Sequence, residues 1–95
     1  PSMIEIRFRL ENVHRDVNAP LYVELEGDII AQIYLNGKFV GRFYANGSQK
    51  RFYLPEPYLR ENNVLKLKAI PLKKRSVVRL GFGIYHKTKI IHMKI

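Results

Sequence analysis

The sequence contains no cysteine among its 95 residues. This absence excludes disulfides, thiol nucleophiles and zinc sites that are built on thiolates. No apolar run approaches the roughly 18 residues that a membrane-spanning helix requires, and the first residues lack the long apolar segment of a signal peptide. Together these absences favour a cytoplasmic protein that makes no contact with a membrane.

Acidic residues are scarce in the second part of the chain. Residues 1–30 carry three arginines and six acidic residues, whereas residues 31–95 carry fourteen basic residues and only Glu56 and Glu61 as acids. The formal net charge is +9. This asymmetry suits an anionic partner or docking on an acidic neighbouring domain. It also arises when strands alternate Lys and Arg outward for solubility and edge protection.

Patterns that carry catalysis or bind a metal are missing as well. No serine lies in a Gly-x-Ser-x-Gly nucleophile elbow, and Gly81-Phe82-Gly83 lacks the third glycine and the helix of a dinucleotide-binding loop. Glu56 and Glu61 lie on or near turns, and nothing in the pattern holds them together as a glycosidase carboxylate pair. Three histidines lack the spacing of metal ligands: His14, His86 and His92. We therefore expect no catalytic residue, no metal and no cofactor.

Apolar and polar residues alternate along nearly the whole chain, which indicates half-buried strands. Turn residues interrupt this alternation every 8–12 residues or so, as in sandwiches and barrels, and no stretch has helical periodicity of useful length. We predict an all-β fold, an antiparallel β-sandwich of jelly-roll type with about eight strands, in which residues 1–95 form one domain. The predicted strands cover residues 4–10, 21–26, 29–35, 38–44, 51–54, 64–70, 77–84 and 89–95.

The clearest local signal is Asn36-Gly37, between the third and fourth predicted strands. Both central residues of a type I′ turn require positive φ, which Asn and Gly tolerate best. Gly41 in the return strand indicates a bulge or a close neighbour. The segment Pro55–Pro57 is predicted to be extended, and Asn63 is predicted to cap a turn with its side chain.

The hairpin and the residues after it resemble a known family. The run IYLNGKFVGRFY at residues 33–44, GSQ at 47–49, FYLP at 52–55 and Leu59 with Asn63 are similar to a pattern in the C-terminal β-sandwich region of family 35 glycoside hydrolases, the β-galactosidases. The similarity covers Leu21 to Ile70, about half of the chain. The chain departs from the pattern where Ser48 stands for a proline and where Glu61 or Asn62 stands for a glycine.

The resemblance implies a galactose-binding-like accessory domain without catalytic residues. In those enzymes the catalytic glutamates lie on a separate TIM barrel, which needs about 250 residues and cannot fit in this chain. The implied partner is therefore a catalytic barrel domain or chain of a glycosidase, and the implied role is structural docking with weak binding of galactosides. The candidate sugar contacts, chosen because aromatic faces and polar groups suit a sugar, are Tyr34, Asn36, Arg42, Tyr44 and Tyr58.

Within the same motif, other positions have architectural roles. Arg42 is flanked by aromatic residues, and we expect it to stack on Tyr44 or Tyr34. The positions expected to shape turns and close contacts are Asn36, Gly37, Gly41, Pro55 and Asn63.

The charge leaves a second interpretation open, a small basic domain that binds single-stranded nucleic acid. Basic residues that alternate with Tyr and Phe contact phosphates and stack on bases. The candidate segments are KRFY at residues 50–53 and KKR at residues 73–75. The sequence has no aromatic pattern of the RNP or cold-shock type, so this interpretation is secondary to the first.

Overall fold

We describe the protein from a computed structural model that covers residues 2–9, 21–74, 76–84 and 87–94. The strands are β1 (Ser2–Arg9), β2 (Tyr22–Gly27), β3 (Ile29–Leu35), β4 (Lys38–Tyr44), β5 (Arg51–Tyr53), β6 (Asn62–Pro71), β7 (Val77–Ile84) and β8 (Lys87–Lys94). They form two four-stranded sheets: sheet A has the order β1-β6-β3-β4, and sheet B has the order β5-β2-β7-β8. Every strand pair is antiparallel. The all-β, antiparallel sandwich predicted from the sequence is confirmed.

One segment differs from the prediction. Pro55 is extended, but Glu56–Tyr58 form a single 3-10 turn instead of continuing the extended chain. The amide of Tyr58 donates to the Pro55 carbonyl at 2.9 Å, and the amide of Leu59 donates to the Glu56 carbonyl at 3.1 Å. The fixed φ of Pro57 is compatible with the first turn of a helix, where its missing N–H costs nothing.

Three pairs of consecutive strands pass from one sheet to the other along one edge of the sandwich. The ribbon β2–β3 changes sheet at Gly27-Asp28, and it is flanked by β4–β5 on one side and by β6–β7 on the other, which also change sheet. Backbone hydrogen bonds join the neighbouring crossings: Leu25 N to Lys50 O (2.8 Å), Ala45 N to Ile29 O (3.1 Å) and Leu72 N to Asp28 O (2.9 Å). We call the edge where these connections lie (Gly27-Asp28, residues 45–50, 72–74 and 76) the corner.

Ser76 stabilises the corner as a fully buried polar residue. Its Oγ lies 2.9 Å from the Asp28 carbonyl and 3.1 Å from the Lys73 carbonyl, and it accepts a hydrogen bond from the Lys73 amide at 3.2 Å. A buried hydroxyl is tolerated because its hydrogen-bonding capacity is satisfied. The side chain thus ties the β2–β3 crossing to the β6–β7 crossing.

The core lies between the sheets and follows the alternation in the sequence. The rings of Phe43 in sheet A and Phe52 in sheet B meet edge to face with centroids 6.5 Å apart. The other fully buried apolar residues are aliphatic and include Val23, Leu25, Ile29, Ile33, Leu35, Leu65, Leu67, Val78 and Leu80. Because side chains alternate along a strand, the residues between these positions face outward and form the two outer faces of the sandwich.

Candidate functional site

The outer face of sheet A carries a shallow depression across its last three strands. In the registers of β6, β3 and β4, Lys68 lies beside Gln32, which lies beside Arg42. The next row places Ile70 beside Ile30, and Ile30 beside Tyr44. These six residues line a depression of about 320 Å³. We call it the sheet A depression.

The two rows of the sheet A depression differ in chemistry. One row offers an amide and two cations, whereas the other is apolar, with Tyr44 47% exposed and Ile70 54% exposed. Neighbouring strands are about 4.8 Å apart, so each row of three residues spans about 10 Å. Exposed apolar surface next to convergent polar groups is typical of small-ligand sites.

Arg42 stacks on a ring other than those expected. Its guanidinium lies over Phe39, 5.3 Å from the ring centroid, and not over Tyr44 or Tyr34. The cause is a register shift between Ile33 and Tyr34, which leaves β4 with an extra residue between the positions of Gly41 and Phe39. Phe39 is thereby placed opposite Tyr34, on the same face as Arg42, where a cation–π contact forms.

Tyr34 supports the sheet A depression from one row away. Its hydroxyl donates a hydrogen bond to Oε1 of Gln32 at 3.1 Å. Its ring meets Phe39 edge to face, with centroids 5.6 Å apart. Of the five predicted sugar contacts, Arg42 and Tyr44 therefore line the depression, while Tyr34 orients a residue that lines it.

The structure separates Asn36 and Tyr58 from the sheet A depression. Nδ2 of Asn36 donates to the Tyr58 carbonyl at 2.7 Å and to Oδ1 of Asn63 at 2.9 Å, and Oδ1 of Asn36 accepts from the Val64 amide at 2.9 Å. An amide side chain has two donor hydrogens, and both are used here. Tyr58 packs against the core, with the Lys38 ammonium 5.9 Å from its ring centroid.

Asn63 completes this arrangement, which we call the turn cluster (Asn36, Tyr58, Arg60, Asn63 and Val64). The Asn63 side chain is 2% exposed. Its Oδ1 accepts from the Arg60 amide at 2.8 Å, and its Nδ2 donates to the Arg60 carbonyl at 2.7 Å. The side chain therefore closes the polar turn before β6, and it also anchors the β3–β4 hairpin through Asn36.

Two glycines of the hairpin have distinct environments. Asn36 has φ 51° and Gly37 has φ 81°, both positive as a type I′ turn requires. Gly41 lies against the ring of Phe52, where an added Cβ would stand 3.0 Å from Cδ1. Gly37 thus supplies backbone freedom, whereas Gly41 leaves space for a ring of the opposite sheet.

Sequence reasoning missed four residues of the sheet A depression: Gln32, Lys68, Ile30 and Ile70. The alternation did place Lys68 on the outward face of its strand. It gave no sign that β6 pairs with β3, a contact between residues far apart in the chain. A prediction of that pairing would have been the signal needed to find the row of Lys68, Gln32 and Arg42.

On the outer face of sheet B, the charged side chains described for β2, β5 and β7 form ion pairs. Arg51 contacts Glu24 at 3.1 Å, and Arg79 contacts Glu26 at 3.8 Å. The hydrogen bond that Arg51 donates to Glu24 raises the pKa of Arg51 above its ordinary value, with a further contribution from Tyr22. The Arg51 guanidinium also lies 4.7 Å from the centroid of the Tyr22 ring.

The two segments considered for nucleic-acid binding lie in this half of the molecule and at the corner. Arg51 is paired with Glu24, Phe52 is buried in the core, and Lys73 lies 3.5 Å from Asp28. Arg75 falls outside the described residues. Arg51 and Lys73 are therefore engaged in ion pairs and Phe52 in the core, whereas Lys50, Tyr53 and Lys74 are exposed.

Within the described residues, no group of three or more His, Cys, Asp or Glu side chains could hold a metal ion. His14 and His86 lie outside the described residues, and so does the side chain of His92. The part of the chain that the structure describes has no helix that is long and apolar enough to cross a bilayer.

A family model described as beta-galactosidase, galactose-binding domain matches residues 1–63. The match covers more than half of the chain and includes the whole β3–β4 hairpin. The chain belongs to the galactose-binding domain family of the beta-galactosidases. This finding confirms the resemblance that the hairpin motif indicated, and it makes the chain an accessory domain of this enzyme class. A search of curated proteins finds no match.

Proposed function

We propose that this domain is a non-catalytic accessory domain of a beta-galactosidase-like glycosidase and that it binds galactosides weakly in the sheet A depression. The observation that supports the proposal is the position of Tyr44. Its exposed ring lies in the same depression as Arg42 and Gln32, although ten residues and a hairpin turn separate Gln32 from Arg42 in the chain.

The chemistry of the two rows suits a pyranose ring. The apolar face of a sugar packs on aromatic or aliphatic surface, which Tyr44, Ile30 and Ile70 provide, while its hydroxyls bond to polar groups. Gln32 is held in place by Tyr34 at 3.1 Å, and Arg42 by its contact with Phe39. Because the depression is shallow and open, we expect a dissociation constant of about 1 mM.

A docking role accompanies sugar binding in this proposal, with the catalytic barrel domain or chain of the glycosidase as the partner. Two exposed apolar side chains support it: Leu72 at the corner is 52% exposed, and Met3, which lies beside Lys68 in β6, is 60% exposed. Lys73 and Lys74 follow Leu72 directly and are exposed as well. A partner surface that combines apolar and acidic groups would complement this region.

An amide NMR titration of the 95-residue chain tests sugar binding. Methyl β-galactoside should shift the amides of residues 30–32, 42–44 and 68–70, and it should leave residues 36, 58 and 63 unshifted. Methyl β-glucoside, which differs only at the 4-hydroxyl, is the matched control and should bind more weakly. An absence of shifts with the galactoside up to about 50 mM, well above the expected dissociation constant, would refute the sugar site.

Two further measurements separate the other roles. Single-stranded DNA should cause no shifts that weaken steeply with salt; such shifts would favour the nucleic-acid alternative instead. Co-purification of a large glycosidase chain with the tagged domain is expected, and Leu72→Glu should reduce it. If no glycosidase chain co-purified with either the wild-type domain or the Leu72→Glu variant, the docking role would be contradicted.

A further inference from the structure

The sheet A depression contains two cations that have no carboxylate of the described residues beside them. Arg42 and Lys68 flank Gln32 in one row. Among the described residues, neither of them makes an ion pair, and the ring of Phe39 is the one charge-related contact of Arg42. Both cations can therefore respond to a ligand without first breaking a salt bridge.

Other cations on the same face are compensated. Glu5 is the one carboxylate among the described outward-facing residues of the strands of sheet A. It lies 3.1 Å from Arg7 and 3.7 Å from Lys66. Its charge is thus already shared by two partners, and the register places Met3, not Glu5, beside Lys68.

The same contrast holds for two other depressions of the molecule. The depression at Phe8 and Asn62 contains Arg9, which contacts Glu61 at 2.8 Å, and Arg7, which contacts Glu5. The small depression on sheet B contains Arg79 together with its partner Glu26. Uncompensated positive charge next to apolar surface therefore distinguishes the sheet A depression from both.

A neutral sugar would cover these cations without compensating them. Removing water from a charged group costs free energy unless an opposite charge or a strong hydrogen bond replaces the water. Hydrogen bonds between a cationic donor and an anionic oxygen are roughly twice as strong as bonds between neutral groups. A ligand with a negative charge near Arg42 and Lys68 would turn this cost into a gain.

We propose that the site takes a galactose unit that carries an anionic substituent, either a sulfate ester or a carboxylate. The proposal rests on the proposed galactoside site and adds the charge of its ligand. Residues that face the same side of a strand are about 7 Å apart, which is the distance between the two rows. A pyranose ring on the row of Tyr44, Ile30 and Ile70 would place its charged substituent at the row of Arg42 and Lys68.

Calorimetric titration of the 95-residue chain tests this proposal at one fixed ionic strength. The ligands are methyl β-galactoside, galactose 6-sulfate and galacturonate, with glucose 6-sulfate and inorganic sulfate as controls. We expect both anionic galactosides to bind about tenfold more tightly than the neutral one, and more tightly than either control. Galactose 6-sulfate and galacturonate together show whether the site distinguishes a sulfate from a carboxylate.

Matched variants assign the effect to the depression. Lys68→Gln should reduce the preference for anionic over neutral galactosides to about threefold, because only Arg42 then faces the charge. Lys50→Gln removes the same charge from an exposed position directly before β5 of sheet B, and it should keep the tenfold preference. An equal reduction in both variants would mean that the net charge of the chain causes the preference, and it would overturn the proposal.

The possible results are distinguishable from failure of the sugar site itself. Equal affinity for neutral and anionic galactosides would overturn the charge preference and leave the galactoside site intact. Binding of inorganic sulfate or glucose 6-sulfate as tightly as galactose 6-sulfate would also overturn it, since the site would then recognise anions in general. No binding of any galactoside would refute the galactoside site, and the charge preference with it.

Discussion

The two ends of the β3–β4 hairpin differ in how their polar groups are satisfied. At the turn cluster, the Asn36 side chain makes three hydrogen bonds, one to Tyr58 in the 3-10 turn and two to the start of β6 at Asn63 and Val64. Towards the other end of the hairpin, Arg42 has a ring contact but no carboxylate partner among the described residues. One short motif therefore contains a cluster whose polar groups bond to one another and a surface whose polar groups are still open to a ligand.

This difference separates motif residues whose hydrogen-bonding groups are occupied within the protein from those whose groups are open to a ligand. A polar side chain whose donors and acceptors are all occupied must break hydrogen bonds before it can bind anything else, and each costs about 1 kcal/mol. Asn36 is such a residue, which supports its architectural role. Arg42, Tyr44 and Gln32 need no such exchange at their exposed sides, so the proposed site depends on them.

The largest expected effect is on the turn cluster. Asn63→Ala removes the side chain that binds Arg60 and Asn36, and it leaves Nδ2 of Asn36 without one of its acceptors. We expect the free energy of unfolding to fall by about 3 kcal/mol, since buried polar groups lose their partners. Urea denaturation measures it. Asn46→Ala, in an exposed turn, is the control; a similar loss in both variants would contradict the special role of the cluster.

A second saturated group lies at the corner. Ser76→Ala leaves the Asp28 and Lys73 carbonyls and the Lys73 amide without the hydroxyl that contacts them. We expect a loss of about 2 kcal/mol, less than at Asn63 because one hydroxyl is removed and not an amide. Thermal and urea unfolding of this variant can be compared with Ser48→Ala, an exposed serine. A change below about 0.5 kcal/mol would show that buried saturation is not what stabilises these loops.

A substitution at the open end of the hairpin should change the affinity for a galactoside and leave the free energy of unfolding nearly unchanged. Tyr44→Ala should weaken binding of methyl β-galactoside about tenfold while changing the free energy of unfolding by under about 0.5 kcal/mol. Tyr53→Ala is the matched control, because Tyr53 is 57% exposed but belongs to sheet B. Equal affinity of the two variants, measured by NMR titration, would remove Tyr44 from the site.

The smallest effect is expected at the tip of the β3–β4 hairpin. Gly37 has φ 81° and no atom within 4 Å of an added Cβ, so Gly37→Ala introduces backbone strain without a clash. We expect a loss of about 1 kcal/mol. Gly37→Asn should cost less, because Asn adopts positive φ more readily. If the two substitutions had equal effects on the urea midpoint, backbone conformation would not be the cause.

Local features of the fold could be predicted because they depend on neighbours in sequence. The placement of Ile29, Ala31, Ile33 and Leu35 at every second position identified β3 and its buried face, and Asn36-Gly37 identified the turn. The 3-10 turn at Glu56–Tyr58 was not predicted, because proline is compatible both with an extended chain and with the start of a helical turn.

The candidate site could be predicted only in part. Arg42 and Tyr44 were found because they lie within the hairpin motif. Lys68 and Ile70 were missed because they join the site through the pairing of β6 with β3. The contact of Arg42 with Phe39 depends on a shift in register that alternation does not reveal.

The sequence by itself determined the strands, the type I′ turn and membership of the family, since these depend on side-chain alternation, on the φ preferences of Asn and Gly, and on a short ordered motif. The tertiary structure decided which outward residues share a surface. It placed Lys68 and Gln32 beside Arg42, and it enclosed Asn36 within the turn cluster. The physical reason is that strand order and register follow from packing both sheets around one core, and no single segment of the chain contains that information.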